Sequence, residues 1–155
     1  MSRASPRLVL SGATDGWRTR SRVCSWPMRF ITTKTHGVLD YVVGVLLILA
    51  PFIFGFANGG PAMWVPIILG AGTLLYSACT NYELGLTPAI SMPAHLTLDF
   101  IGGAFLAASP WLFNFHELVW APHLVVGLFE IGASLMTHKT PSESGVRRTA
   151  AHHHS

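Results

Sequence analysis

Between Lys34 and Lys139 the chain carries neither lysine nor arginine for 104 consecutive residues. A water-soluble domain of that size would place cations on its surface, so the gap describes an apolar body held between two basic tails. Half of the 155 residues are hydrophobic and 11% are charged, and the mean hydropathy is +0.45. All ten cations, Arg3, Arg7, Arg18, Arg20, Arg22, Arg29 and Lys34 on one side and Lys139, Arg147 and Arg148 on the other, lie in the tails. The net charge of +3 therefore reads as a cytoplasmic topology signal, and no nucleic-acid partner is expected.

Four apolar segments fill the interval, at about 37–57, 62–80, 96–115 and 119–137. Each approaches the roughly 20 residues that cross about 30 Å of hydrocarbon as a helix. Backbone groups cannot go unpaired in lipid, so the segments are expected to be α-helices. The turns "ANGGP" and "HE" hold no cation, which puts them outside and both termini in the cytoplasm of a multi-pass protein of the cell (inner or plasma) membrane. The connector "NYELGLTPAISMPA" then falls on the cytoplasmic side without a positive charge. This division gives a cytoplasmic tail over 1–34, a transmembrane domain over 35–138 and a polar tail over 139–155. The amino-terminal tail is expected to be disordered, and Met28 is an alternative biological start. Cys24 and Cys79 form no CxxC or metal pattern.

Shifting the sequence by 59 residues aligns "HGVLDYVVGVLLILAPFIFGF" (36–56) with "HLTLDFIGGAFLAASPWLFNF" (95–115), with eight of 21 positions identical. The match continues as Trp64 and Pro66 with Trp120 and Pro122, then, after a slip, Gly70, Ser77 and Thr80 with Gly127, Ser134 and Thr137. The expected fold is thus all-α, with four transmembrane helices arranged as two helical hairpins, repeat one over 36–80 and repeat two over 95–138. Two-span units enter the membrane the same way round, so a pseudo-twofold axis should run along its normal.

Ser109, Pro110 and Trp111, in the first helix of the second hairpin, resemble the motif of the SPW-repeat family of small integral membrane proteins. The first copy keeps only the proline, as Ala50, Pro51 and Phe52. The resemblance implies a fold and a membrane location and no activity. A helix ending at Pro110 would span about 22 Å, too little for a bilayer. Continuation to Phe115 through a kink is therefore expected, with Ser109 helping the carbonyl of Leu106 that proline frees. Phe52, Phe54, Phe56 and Trp64, with Trp111, Phe113, Phe115 and Trp120, read as an interfacial belt, with a quinone or other lipid-soluble ligand as the alternative.

His36 with Asp40, and His95 with Asp99, stand four apart and share a helix face. Near helix starts they suit dipole complementation and interfacial anchoring. Alternatively, twofold symmetry gathers them into a cluster able to hold a proton or a divalent metal. Glu130, deep in the fourth segment, costs about 2.5 to 3.5 kcal/mol on insertion scales, and a proton shared with Asp99 is one way to lower that cost. No catalytic residue, metal or cofactor is expected. Three functions remain: a non-enzymatic structural or partner-binding membrane protein, which the sequence favours; a small proton- or ion-coupled transporter or channel subunit; and a quinone- or haem-associated redox subunit using His95 or His123. Expected partners are the lipid bilayer and a second copy or another membrane protein. The first reading has the His and Asp residues facing headgroups or capping helices, whereas the second has them converge with Glu130.

Overall fold

The computed structural model describes residues 30–140, and the expectations for 1–29 and 141–155 lie outside them. Among the described residues there are four helices and no extended strand: α1 (Thr33–Ile53), α2 (Pro61–Ala78), α3 (Met92–Leu112) and α4 (Ala121–Met136). Each start has a local cause. The Thr32 hydroxyl accepts from the Thr35 amide at the head of α1, while Pro61, Pro93 and Pro122 occupy first-turn positions where a missing N–H removes nothing.

Helix α1 packs along α2 and α3 along α4, and the two hairpins join through α2 against α3 and, more sparingly, α1 against α4. The duplication sets the close approaches. A Cβ on Gly70 would stand 2.5 Å from the Gly44 carbonyl oxygen, and one on Gly127 would stand 2.5 Å from that of Gly103. Equivalent glycines thus let each pair of helices touch backbone to backbone.

The symmetry begins earlier than the sequence alignment does. Residues 30–34, expected in the tail, are ordered: Ile31 bridges to Thr137, and its amide donates to the Met136 carbonyl at 3.1 Å. At the equivalent place Ile90 bridges to Thr80, and its amide donates to the Cys79 carbonyl at 2.9 Å. Backbone polar groups needing partners at the helix ends explain why the first repeat starts at Ile31 rather than His36. The connector after α2 is also ordered. The Thr33 hydroxyl donates to Glu83 at 2.7 Å and Tyr41 donates to the Leu84 carbonyl at 3.2 Å.

The proline expectation holds in mechanism and misses in length. Helix α3 runs through Pro110, and the Ser109 hydroxyl donates to the Leu106 carbonyl at 2.7 Å, filling the bond that proline cannot make. The helix then stops at Leu112 instead of Phe115, because Asn114 turns left-handed at φ 54°. The Phe115 amide donates to the Pro110 carbonyl at 2.8 Å and the Asn114 amide to that of Trp111 at 3.4 Å, the paired bonds of a Schellman end. Gly55, at φ 74°, ends α1 in the same way, with Phe56 donating to Pro51 at 2.9 Å.

The end geometry corrects the aromatic belt. Phe52, Phe54, Trp64, Trp111, Phe113 and Trp120 are exposed, but Phe56 and Phe115 follow the left-handed residue and fold inward, packing with Ala50, Ala62 and Val119. Elsewhere the outer surface is apolar: Val42, Ile68, Ile101, Val125 and Leu128 are each more than half exposed. His36, His95, His123, Asp40 and Asp99 are inside. In water this arrangement would be inverted, whereas hydrocarbon favours it.

Replacing Asn114 by glycine is expected to hold or raise the thermal midpoint in detergent. Asn114→Val should lower stability by about 1–2 kcal/mol, the cost of a left-handed β-branched residue. Equal midpoints for the two variants would contradict this account of the α3 end.

Candidate functional site

One face of α1 carries His36 and Asp40, and the equivalent face of α3 carries His95 and Asp99. The pseudo-twofold packing turns those faces toward each other. None of the four side chains is more than 1% exposed. His36 Nε2 lies 2.9 Å from Asp99 Oδ2, and His95 Nε2 lies 2.9 Å from Asp40 Oδ2. The contacts within each repeat are longer, 3.4 Å from His36 to Asp40 and 3.2 Å from His95 to Asp99. Every short bond of the tetrad therefore crosses between repeats, and neither repeat contains the site alone. The imidazoles meet edge to face, their centroids 5.5 Å apart.

The far side of each ring is also held by the other repeat. Thr137 Oγ1 lies 3.0 Å from His36 Nδ1, and Thr80 Oγ1 lies 2.9 Å from His95 Nδ1. Each threonine also donates to a carbonyl one turn back, Thr137 to Ala133 at 2.6 Å and Thr80 to Tyr76 at 2.7 Å. A hydroxyl has one proton and a carbonyl can only accept it, so the threonine oxygen must accept from the ring. Both histidines thus carry hydrogen on Nδ1 and turn Nε2 toward the carboxylates. This fixes the tautomer without any titration argument.

Helix α2 completes the carboxylates' coordination. Tyr76 donates its phenol to Asp99 Oδ1, and Ser77 donates to Asp40 Oδ2 at 3.2 Å. Tyr82, in the connector, leans on the His95 ring with centroids 5.8 Å apart and closes that end against Gly37, where a Cβ would strike its ring. Burial pushes the Tyr82 phenol pKa up, with Asp40 adding to it, and keeps the phenol neutral.

Of the sequence candidates, His36, Asp40, His95 and Asp99 come together, so none of the four faces a headgroup or caps its helix. Glu130 stands beside the cluster and is not bonded into it. Its side chain is 6% exposed and close enough for its charge to act on Asp99, Asp40 and His36. No hydrogen bond joins Asp99 to Glu130, and the Asp99 oxygens go to Tyr76 and the two histidines. Helix α4 carries Glu130 against Gly103, where only a glycine leaves room. Ser109, Pro110, Trp111, Pro51 and Phe52 lie toward the opposite helix ends, away from the tetrad. Sequence reasoning missed Tyr76 and the roles of Ser77, Thr80 and Thr137. The signal for Thr80 and Thr137 was their coincidence in the repeat.

His123 lies apart from the tetrad, 2% exposed, and donates from Nε2 to the Ala62 carbonyl at 3.1 Å. It sits against Phe56 and Phe115 and lines an apolar cavity of about 570 Å³ together with Leu47, Leu106 and Val126.

A family model described as the SPW repeat domain matches residues 34–137. The chain belongs to this family. Its limits coincide with the two hairpins and include all four tetrad residues, and the family and the apolar helices together identify a membrane protein. No curated protein and no solved structure matches the chain.

Nitrogen-15 NMR of the SPW-repeat chain is expected to show both tetrad imidazoles protonated on Nδ1. Thr80→Val or Thr137→Val, which leaves a buried N–H without an acceptor, should cost about 1–3 kcal/mol in a thermal or denaturant melt. A proton found on Nε2 alone in either ring would contradict the assignment.

Proposed function

We propose that the protein is a small ion-coupled protein of the cell membrane, a transporter or channel subunit for protons or cations. The observation that carries this reading is the convergence of two histidines and two aspartates, from both repeats, at 0–1% exposure. Four buried ionisable groups in an apolar bundle carry a large desolvation cost, and such groups in membrane segments commonly mark ion or proton sites. Glu130, beside the tetrad and slightly exposed, is the group through which an ion or proton would approach.

In this reading all four helices span the membrane, with both termini cytoplasmic. The absence of cations between Lys34 and Lys139 and the short turns after α1 and α3 support it. Helices α1 and α2 are long and apolar enough to cross. Helix α4, at 16 residues, is about 24 Å long, which favours tilt or a locally thinned bilayer. The exposed apolar faces suit lipid, a second copy or another membrane protein.

Two measurements test the proposal. With Cys24 and Cys79 replaced by serine, Asn58→Cys and Glu117→Cys should react with an impermeant maleimide from outside the cell. Leu86→Cys should react only after permeabilisation. In proteoliposomes under a pH or cation gradient, Asp40→Asn with Asp99→Asn should slow flux at least tenfold, and equal flux from wild type and double variant would reject the ion-coupled reading. The cavity beside His123 favours a second reading, a lipid-soluble ligand such as a quinone. An absorbance spectrum of the purified protein without quinone or haem bands would count against it.

A further inference from the structure

We infer that the tetrad is a four-coordinate site for a divalent transition-metal ion of the zinc class, which binds in exchange for two protons and bridges the two repeats. The inference rests on the reading of the tetrad as an ion site and names the ion.

Three independent features lead to it. The first is donor geometry. One ligand atom from each of His36, Asp40, His95 and Asp99 falls within 4.8 Å of all the others. Zinc bonds of about 2.0–2.1 Å to nitrogen and oxygen give tetrahedron edges of about 3.3–3.4 Å. With Oδ2 taken from each aspartate, three imidazole-to-carboxylate edges measure 2.9, 2.9 and 3.2 Å, and His36 reaches Asp40 through its other oxygen, Oδ1, at 3.4 Å. The remaining pairs lie within 4.8 Å, so binding an ion draws them together by at most about 1.5 Å.

The second is the tautomer. A metal-binding histidine needs its ligating nitrogen free and its other ring N–H held by an acceptor. Thr137 and Thr80 supply that acceptor to Nδ1 and leave both Nε2 lone pairs available once their protons depart. Tyr76 and Ser77 meanwhile hold the two carboxylates in orientation.

The third is charge. Two aspartates balance one divalent ion, and they equally balance two protons on the histidine–aspartate pairs. Binding therefore releases two protons for each ion entering, and the buried site keeps the same net charge in either state. In an apolar surround that equality keeps both states accessible. Two imidazoles without a thiolate suit zinc and its first-row neighbours rather than magnesium or calcium. Four protein ligands with no open position make a closed site.

The test uses the full chain purified in detergent without chelator. Elemental analysis should find one zinc per chain, or one after incubation with Zn²⁺. Titration of metal-free protein in weak buffer should release two protons per zinc. Cobalt substitution should give the visible absorption of a tetrahedral centre. His95→Gln and Asp99→Asn should lose binding at least a hundredfold, and Glu117→Gln, at an exposed position past the far end of α3, should keep it. Thr80→Val should weaken it about 10- to 100-fold without removing a ligand. Should the ligand variants fail to fold, the wild type still decides: chelation should lower its melting temperature and Zn²⁺ restore it. Wild-type protein that takes up no stoichiometric Zn²⁺, Co²⁺ or Mn²⁺ overturns the inference. If such protein still conducts protons, the ion-coupled reading stands without the metal. Stoichiometric zinc in a protein without flux leaves the metal site standing and removes the transport reading.

Discussion

The fold depends on two hydrogen bonds, His36 to Asp99 and His95 to Asp40, made at 2.9 Å in a place that excludes solvent. In a bundle whose outside is hydrocarbon, apolar contact gives little preference for one helix arrangement over another, because lipid tails satisfy the same side chains. Unpaired ionisable groups discriminate far more strongly. Only one relative placement of the hairpins lets each histidine reach the other repeat's aspartate and the other repeat's threonine. That placement also sets the approach of α2 to α3 and of α1 to α4. The glycine contacts inside each hairpin fix the hairpins themselves, and the polar core fixes how they meet.

Much of this was legible in the sequence. The cation-free interval gave the class, the shift of 59 residues gave the duplicated hairpin, and the i,i+4 pairs gave the four residues of the core. Symmetry offered the tetrad as an alternative to helix capping, but it did not offer the wiring. Spacing along one helix makes His36–Asp40 the obvious pair, yet the shorter bonds run between helices, because the closest facing groups in a twofold arrangement belong to different copies. Tyr76 was not visible since its counterpart at position 133 is alanine, and a repeat search rewards only what recurs. Glu130 stood out by its depth in the fourth segment and does lie beside the tetrad, but depth does not say which of its neighbours a side chain bonds.

The helix ends show the same division between chemistry and geometry. That Ser109 would answer the carbonyl released by Pro110 follows from counting donors. That the helix would stop three residues early could not come from counting, because Asn114 in a left-handed turn looks like any lone amide until Gly55 is seen to hold the same place in the first copy. The two phenylalanines after those turns consequently point inward, and a pattern that reads as an interfacial belt becomes partly core.

A single hairpin of this kind is half a site. It would expose a histidine lacking its nearest acid and a threonine lacking a ring, and two identical hairpins would satisfy both by pairing. The present chain is such a homodimer joined end to end by the connector after α2. Fusion releases the halves from having to be alike, and the differences already lie around the tetrad: tyrosine at 76 against alanine at 133, threonine at 73 against glutamate at 130. A symmetric pair could offer only two equivalent approaches to its centre. The fused chain has one side closed by a phenol and the other bordered by a carboxylate, which gives an otherwise undirected core a front and a back.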